Sequence, residues 1–416
     1  MRPILRVFTR GAVRRASYLV VGAGAALFHR RRKSDLPLAV SRILICRLDL
    51  MGDVLFTRPL IQAMRHRYPN SSITLLTLPY TAPLAATYGE LDDIVSVDTN
   101  RIRTLRGLLS AQTWKDYFAV AQLLRRQKFD LGISVCGRTA SLCILLAGTK
   151  VSVGYAREAY PFVLDSVAPG GRYAERKHEV EYVRSLARFA GAPAAPDALT
   201  LSVVADSAAS IRGSLLALGV SDRDRLVVIH AGAVNGSAKR WPPQSWARFA
   251  ERITRETDAK VLLAGAASDE PFAHEVRNTS RATILSLVGM TSIPELTALI
   301  ARADVVATGD SGPLHLAVAL GRPLVAAYGP TDPSVHGPFH PNGQVRVHRA
   351  DIPCSPCYSM AATAECPLGD PICMRLVTVD QMVASTLELL RGAGDSLPGR
   401  EHQFLVTQQY ALQDPE

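Results

Sequence analysis

The sequence predicts an α/β protein built from two successive doubly wound domains, and three observations carry that expectation. Its 416 residues are more than one core of ordinary size encloses. Short apolar runs alternate with helix-like segments, the pattern of parallel strands joined by covering helices. A passage rich in small residues and proline, 191–198, interrupts the alternation, which restarts at Arg225.

In the first half, residues 42–48 (RILICRL) read as a buried strand and 54–68 as the helix after it. Further strands are expected at 72–78, 94–98, 129–135 and 151–154. In the second half five strands are expected, at 226–230, 261–264, 284–288, 305–308 and 324–327. The expected division is an arm over 1–40, a domain over 41–205, a second over 206–396 and a tail over 397–416, with the joint near 195–222. Such sheets bind ligands beyond the carboxyl ends of their strands, and a cleft between two of them is the expected site.

Composition narrows the function. Hydrophobic residues make up 48% and charged residues 20%, an ordinary globular balance. The net charge of +10 is local: nine cations precede the first acid, Asp35, and the rest of the chain holds 38 Lys and Arg against 37 Asp and Glu. A general nucleic-acid surface is thereby excluded. In the arm, Arg2, Arg6, Arg10 and Arg14 share one side of a helical wheel, and Ile4, Leu5, Phe8, Ala12 and Leu19 share the other. The uncharged stretch 16–28 is shorter than the about 20 residues a spanning helix needs. Residues 1–33 are therefore expected to lie on an anionic membrane surface, with a signal peptide, a transit peptide and a disordered basic tail as the competing readings.

Three loops are suited to chemistry. In the first, 49–53, Gly52 permits a tight turn and Asp53 stands at a helix start. There it serves either as a cap for backbone amides or as a general base, with Asp49 beside it. The absence of a GxGxxG fingerprint weighs against a nicotinamide dehydrogenase. In the second loop, 231–242, Gly232 and its small neighbours let backbone approach a ligand, Lys239 and Arg240 offer charge to a diphosphate, and Pro242 is expected to open the next helix. In the third, 308–315, Ser311 and Gly312 present amides at a helix start, where a phosphate can sit. Alternatively, Asp310 and Ser311 only cap that helix.

Those segments, RLDLMGDVLFTRPLIQAMRHRYP (47–69), HAGAVNGSAKRWPPQSWARFA (230–250) and LVGMTSIPELTALIARADVVATGDSGPLHLAVALGRPLVAAYGPTDP (287–333), resemble glycosyltransferase family 9, the heptosyltransferases and their relatives. The resemblance covers residues 41–390. It implies a GT-B fold, two Rossmann-like domains facing each other across a cleft with the nucleotide held by the second. It also implies inverting transfer that needs no metal or other cofactor. The donor would be a nucleotide diphosphate sugar, ADP-heptose first among them, and the acceptor a lipid-linked or lipopolysaccharide-type glycan. The implied location is the cytoplasmic face of the inner membrane.

Carried onto this sequence, the resemblance makes Asp53 the catalytic carboxylate and Lys239 the lysine at the donor phosphates. Asp310, Ser311, Gly312 and His315 form the phosphate-binding helix start, and Glu270, or Asp269 beside it, meets the donor ribose. Phe56 departs from the family's common His, and Arg58 from a common apolar residue; both are expected to face the acceptor. A nucleotide-sugar 2-epimerase and an inactive assembly partner are the rival functions.

Seven cysteines do not suggest a disulfide framework in a chain this long. Cys46, Cys136 and Cys143 read as single buried thiols. Cys354, Cys357, Cys366 and Cys373 cluster, and a structural zinc, reduced thiols and disulfides are all open to them, although the second pair is spaced more widely than usual zinc ligands.

Overall fold

The computed structural model describes residues 39–396 apart from 159, 172–174, 194–198, 234–235, 340–343 and 359–364. Residues 1–33, expected to meet a membrane, and the tail 397–416 lie outside the described residues. The chain divides into two compact units. The second takes in Leu50–Phe56, Ala86–Gly89 and the chain from Asp197 onward; the remainder forms the first.

The first unit is built on β1 (Arg42–Cys46), α1 (Met51–Arg67, its opening residues counted with the second unit), β2 (Ser72–Thr77) and β3 (Asp93–Ser96). It continues with α2 (Ala111–Gln127), β4 (Leu131–Ser134), α3 (Arg138–Ala147), β5 (Val151–Tyr155), β6 (Ser166–Ala168) and α4 (Glu179–Phe189). The strands lie in the order β3-β2-β1-β4-β5-β6, all parallel. Leu44, Cys46, Leu76, Val95, Leu124, Phe129 and Ile144 fill one core between this sheet and the helices α2 and α3.

The second unit repeats the plan. It runs through α5 (Ala205–Ala217), β7 (Leu226–His230), α6 (Pro243–Glu256), β8 (Lys260–Leu263), α7 (Glu270–Thr279) and β9 (Leu285–Ser286). Then follow α8 (Ile293–Arg302), β10 (Val305–Gly309), α9 (Gly312–Ala319), β11 (Leu324–Tyr328), β12 (Val345–Arg349) and α10 (Val379–Ser396). The parallel order β12-β11-β10-β7-β8-β9 is the same sequence of strands as in the first sheet. Strand order therefore reverses between β1 and β4 and again between β7 and β10, the switch points beside which such sheets hold ligands. Every residue of β7, β10 and β11 is buried, as expected for parallel strands covered on both faces. Trp241, Trp246 and Phe249 pack edge to face in this unit's core, with the two indole centroids 4.8 Å apart.

Three expectations need correction. Each sheet has six strands where five were expected, because β6 is three residues long and β12 (VRVHR) is half-buried throughout and interrupted by cations. Helix α6 starts at Pro243, with Pro242 as the residue before it; the second proline is the one whose missing N–H costs nothing at a helix start. Cys46 and Cys136 are buried as expected, but Cys143 is only half-buried.

At the carboxyl end of β1 the first unit buries a charged cluster. The Arg47 guanidinium is fully enclosed and lies 2.9 Å from both Asp49 and the equally enclosed Glu179 in the first turn of α4. Burying three charges is tolerable only while each has its partner. Glu179→Ala is expected to lower unfolding free energy by about 3 kcal/mol, read from urea denaturation, because it removes the enclosed one of the two carboxylates that balance a buried cation.

Candidate functional site

The loops that follow β7, β8 and β10 come together at the carboxyl edge of the second sheet. Lys239, in a 3₁₀ turn after β7, places its ammonium 2.6 Å from the Asp310 carboxylate after β10. It also lies 4.0 Å from the centre of the Tyr358 ring, a cation–π contact. Asp310 is buried. Burial alone would raise its carboxyl, but the Lys239 charge and hydrogen bond, aided by His315, hold it below the usual carboxylate range. The same burial, with Asp310 nearby, pushes the Tyr328 hydroxyl up.

One residue on, Ser311 occupies the position before α9 without capping it. Its hydroxyl instead meets the Thr308 hydroxyl at 2.9 Å and His230 Nδ1 at 3.1 Å. The helix start therefore gives no side chain of Ser311 to its own amides, and the alternative that Ser311 merely caps α9 is set aside. His230 Nε2 faces the Asp269 carboxylate at 3.8 Å. That carboxylate accepts from the Ala266 amide at 3.0 Å and sits so close to Gly232 that a Cβ there would collide with it. A Cβ on Gly265 would come within 2.9 Å of the same group. Glu270, by contrast, is half-buried and pairs with Arg277, while Arg240 lies over the Phe272 ring at 5.2 Å.

The loop after β1 is organised differently. Asp53, third residue of α1, accepts from the Leu50 amide at 3.2 Å, the returning half of a capping box. Gly52 is pressed on His315, where a Cβ would lie 2.7 Å from the imidazole. Phe56 is buried edge-on against the same ring, centroids 4.5 Å apart. Arg58 instead grips Glu90 with two nitrogens, at 3.1 and 3.3 Å. Phe56 and Arg58 therefore do not share a face as expected, because two residues of helix are about 200° apart. Asp49 meets Arg47, so a cation balances its charge.

The expected residues of the second unit (Gly232, Lys239, Asp269, Asp310, Ser311) thus fall into one cluster, and His315 joins Gly52. His230, Thr308, Tyr328 and Tyr358 were not singled out from the sequence. His230 ends an apolar strand, and its polarity was the available signal.

Cys354, Cys357, Cys366 and Cys373 line one small cavity with Lys239 and Tyr358. Burial pushes the Cys373 and Cys357 thiols up, and the neighbouring thiols add to it. A metal would have to displace those protons. Among the described residues no three His, Cys, Asp or Glu side chains stand in metal-ligating arrangement, so the expected zinc set is not assembled there.

Burial holds the His230 imidazole below its ordinary value of 6.5, with Asp269 opposing only in part. The unfolded chain then takes up a proton on this ring at higher pH than the folded protein does. Stability is expected to fall as pH drops below about 6.5 and to stop falling, for this group, beneath the lowered folded value. Asp310 acts in a lower window: its contribution is present above the usual carboxylate value and is lost as pH falls through its own lowered one. His230→Asn should flatten the urea midpoint between about pH 7 and 5 while leaving the more acid loss in place.

The comparisons agree with this architecture. A family model described as glycosyltransferase family 9 (heptosyltransferase) matches residues 117–367, more than half of the chain. The lipooligosaccharide heptosyltransferase 2 of Haemophilus influenzae is 27% identical over 314 residues, covering 71% of this chain and 86% of that one. The E. coli ADP-heptose LPS heptosyltransferase II structure superposes with a TM-score of 0.68 at 22% identity, covering 85% of this chain and 99% of that one. A glycosyl transferase family 9 structure from Veillonella parvula gives a TM-score of 0.73 at 20% identity, covering 86% and 100%. The two parallel-sheet domains are those of the GT-B fold, and the chain belongs to glycosyltransferase family 9: it is a glycosyltransferase.

Proposed function

We propose that this glycosyltransferase moves a heptose from ADP-heptose to a lipopolysaccharide core sugar or a related envelope glycan. The observation that carries the donor half is the cluster of Lys239, Asp310, Ser311 and His230 around small-residue backbone at a switch point. The names of the relatives support the sugar and the acceptor class.

In this reading the diphosphate lies at the start of α9, where exposed amides and the helix dipole favour an anion. Lys239 supplies the mobile cation. Asp310 cannot donate to phosphate while ionised, so its role is to hold Lys239 in place. Glu270, less enclosed than Asp269, is the acid for the donor ribose; Asp269 fixes the loop beside Gly232. Asp53 takes the proton from an acceptor hydroxyl as that oxygen attacks the anomeric carbon. The bond to the diphosphate breaks on the opposite side, which inverts the centre. The leaving electron pair stays on the nucleoside diphosphate, its charge met by Lys239 and the α9 amides. The lipid-borne acceptor places the reaction at a membrane, and the cytoplasmic face of the inner membrane, with residues 1–33 as an attachment, is the proposed location. The four cysteines, which form no metal-ligating set among the described residues, are read as reduced thiols apart from the reacting centre.

Asp53→Asn is expected to lower kcat by about 10²–10⁴ with donor affinity kept, as loss of general-base assistance does. Lys239→Ala should raise the donor KM and lower kcat, with the acceptor KM unchanged. Near-normal turnover of a folded Asp53→Asn variant removes Asp53 from the mechanism. Calorimetry with ADP-heptose against UDP-, GDP- and dTDP-sugars tests the donor: tighter binding of another nucleotide reassigns the sugar. Metal analysis of the purified chain should return far less than one equivalent; about one equivalent overturns the reduced-thiol reading.

A further inference from the structure

Helix α2 packs on the first sheet through one face only. Tyr117, Val120 and Leu124 point into the core, and the Tyr117 hydroxyl bonds the Asp98 carbonyl at 2.6 Å. The outer face should then be polar throughout, but it carries Trp114, 53% exposed, and Phe118, 64% exposed, one turn apart. Leu109, just before the helix, is 78% exposed. Single exposed apolar residues are ordinary; two exposed aromatic rings one turn apart on a helix are not.

The charge around them is one-sided. Between residues 101 and 128 the sequence has seven cations and a single acid, Asp116, which Arg101 already neutralises at 2.7 Å. Lys115 and Arg126 share the outer face of α2 with the two rings and are exposed. Because the body of the chain is close to neutral, this excess is local to this stretch of the sequence. Aromatic rings interleaved with exposed Lys and Arg on a helix face match the boundary between anionic headgroups and acyl chains, where rings enter the apolar edge and cations meet phosphate. No helix among the described residues is long and apolar enough to cross a membrane, so contact of this kind is in the plane of the surface.

We infer that the outer face of α2, centred on Trp114 and Phe118, is a docking surface for an anionic lipid bilayer, separate from residues 1–33. The inference does not depend on which sugar is transferred.

The chain contains its own reporter. It has three tryptophans, and Trp241 and Trp246 are 1% and 0% exposed, so changes in emission on adding lipid come from Trp114. With the full-length protein and vesicles of phosphatidylcholine and phosphatidylglycerol, Trp114 emission should shift to the blue. Acyl chains brominated near the headgroup should quench it, and pure phosphatidylcholine should have far less effect. Trp114→Ser with Phe118→Ser is expected to weaken vesicle partitioning at least about tenfold, from the lost apolar burial. Lys115→Glu with Arg126→Glu should weaken it about as much on anionic vesicles only. Circular dichroism and turnover of a water-soluble acceptor should be unchanged in both double variants. The inference is overturned if the protein binds vesicles while Trp114 stays open to aqueous iodide, since attachment then belongs elsewhere in the chain. It is equally overturned if the double variants partition as the parent does, or if they abolish self-association and leave lipid binding untouched.

Discussion

Parallel strands impose the constraint from which the site follows. A chain that ends one strand must return across the sheet before starting the next, so all carboxyl ends gather on one edge and all returning helices begin there. With the order used by both sheets here, two of those helices leave in opposite directions at the switch point, and the edge between them is uncovered by either. The loops after β7 and β10 meet at that gap. The pair of half-buried Lys239 and buried Asp310 ties them together across 71 residues of sequence.

The second unit spends buried polarity on this edge. His230, Asp269 and Asp310 are all enclosed: Ser311 and Lys239 reach His230 and Asp310 from other loops, while Asp269 accepts from the Ala266 amide of its own loop and faces His230 at 3.8 Å. Each pair alone is an ordinary solution to burying a polar group. Linked in this way they fix three loops against one another, which gives a bound anion a prearranged surface. In the first unit Arg47 does the same for the chain leaving β1, with Glu179 supplied from 132 residues away.

Much of this was legible in the sequence. The apolar runs of β1, β7, β10 and β11 were found because parallel strands buried on both faces leave no polar alternation to confuse them with a loop. The Gly-Asp and Asp-Ser-Gly turns were found because glycine beside a potential cap is a local signal. What escaped was set by distance or by edges. The half-buried β12, VRVHR, has cations where a central strand has none, and β6 is too short to show a period. The partnership of Arg47 with Glu179 has no local trace. Phe56 and Arg58 look alike as departures from a motif, but helical geometry sends them to different neighbours, His315 and Glu90.

The contact of Gly232 and Gly265 with one carboxylate has a consequence for how this loop can change over time. The two glycines belong to different strands' ends, yet neither can gain even a methyl group while Asp269 retains its position. The three sites therefore form one unit of volume, in which side-chain atoms can be moved between positions but not added. Lineages that alter this loop must first shorten residue 269, giving up the Ala266 anchor, before either glycine is free to vary. The order of substitutions is thus constrained by packing, and the reverse order passes through an intermediate in which the loop no longer closes.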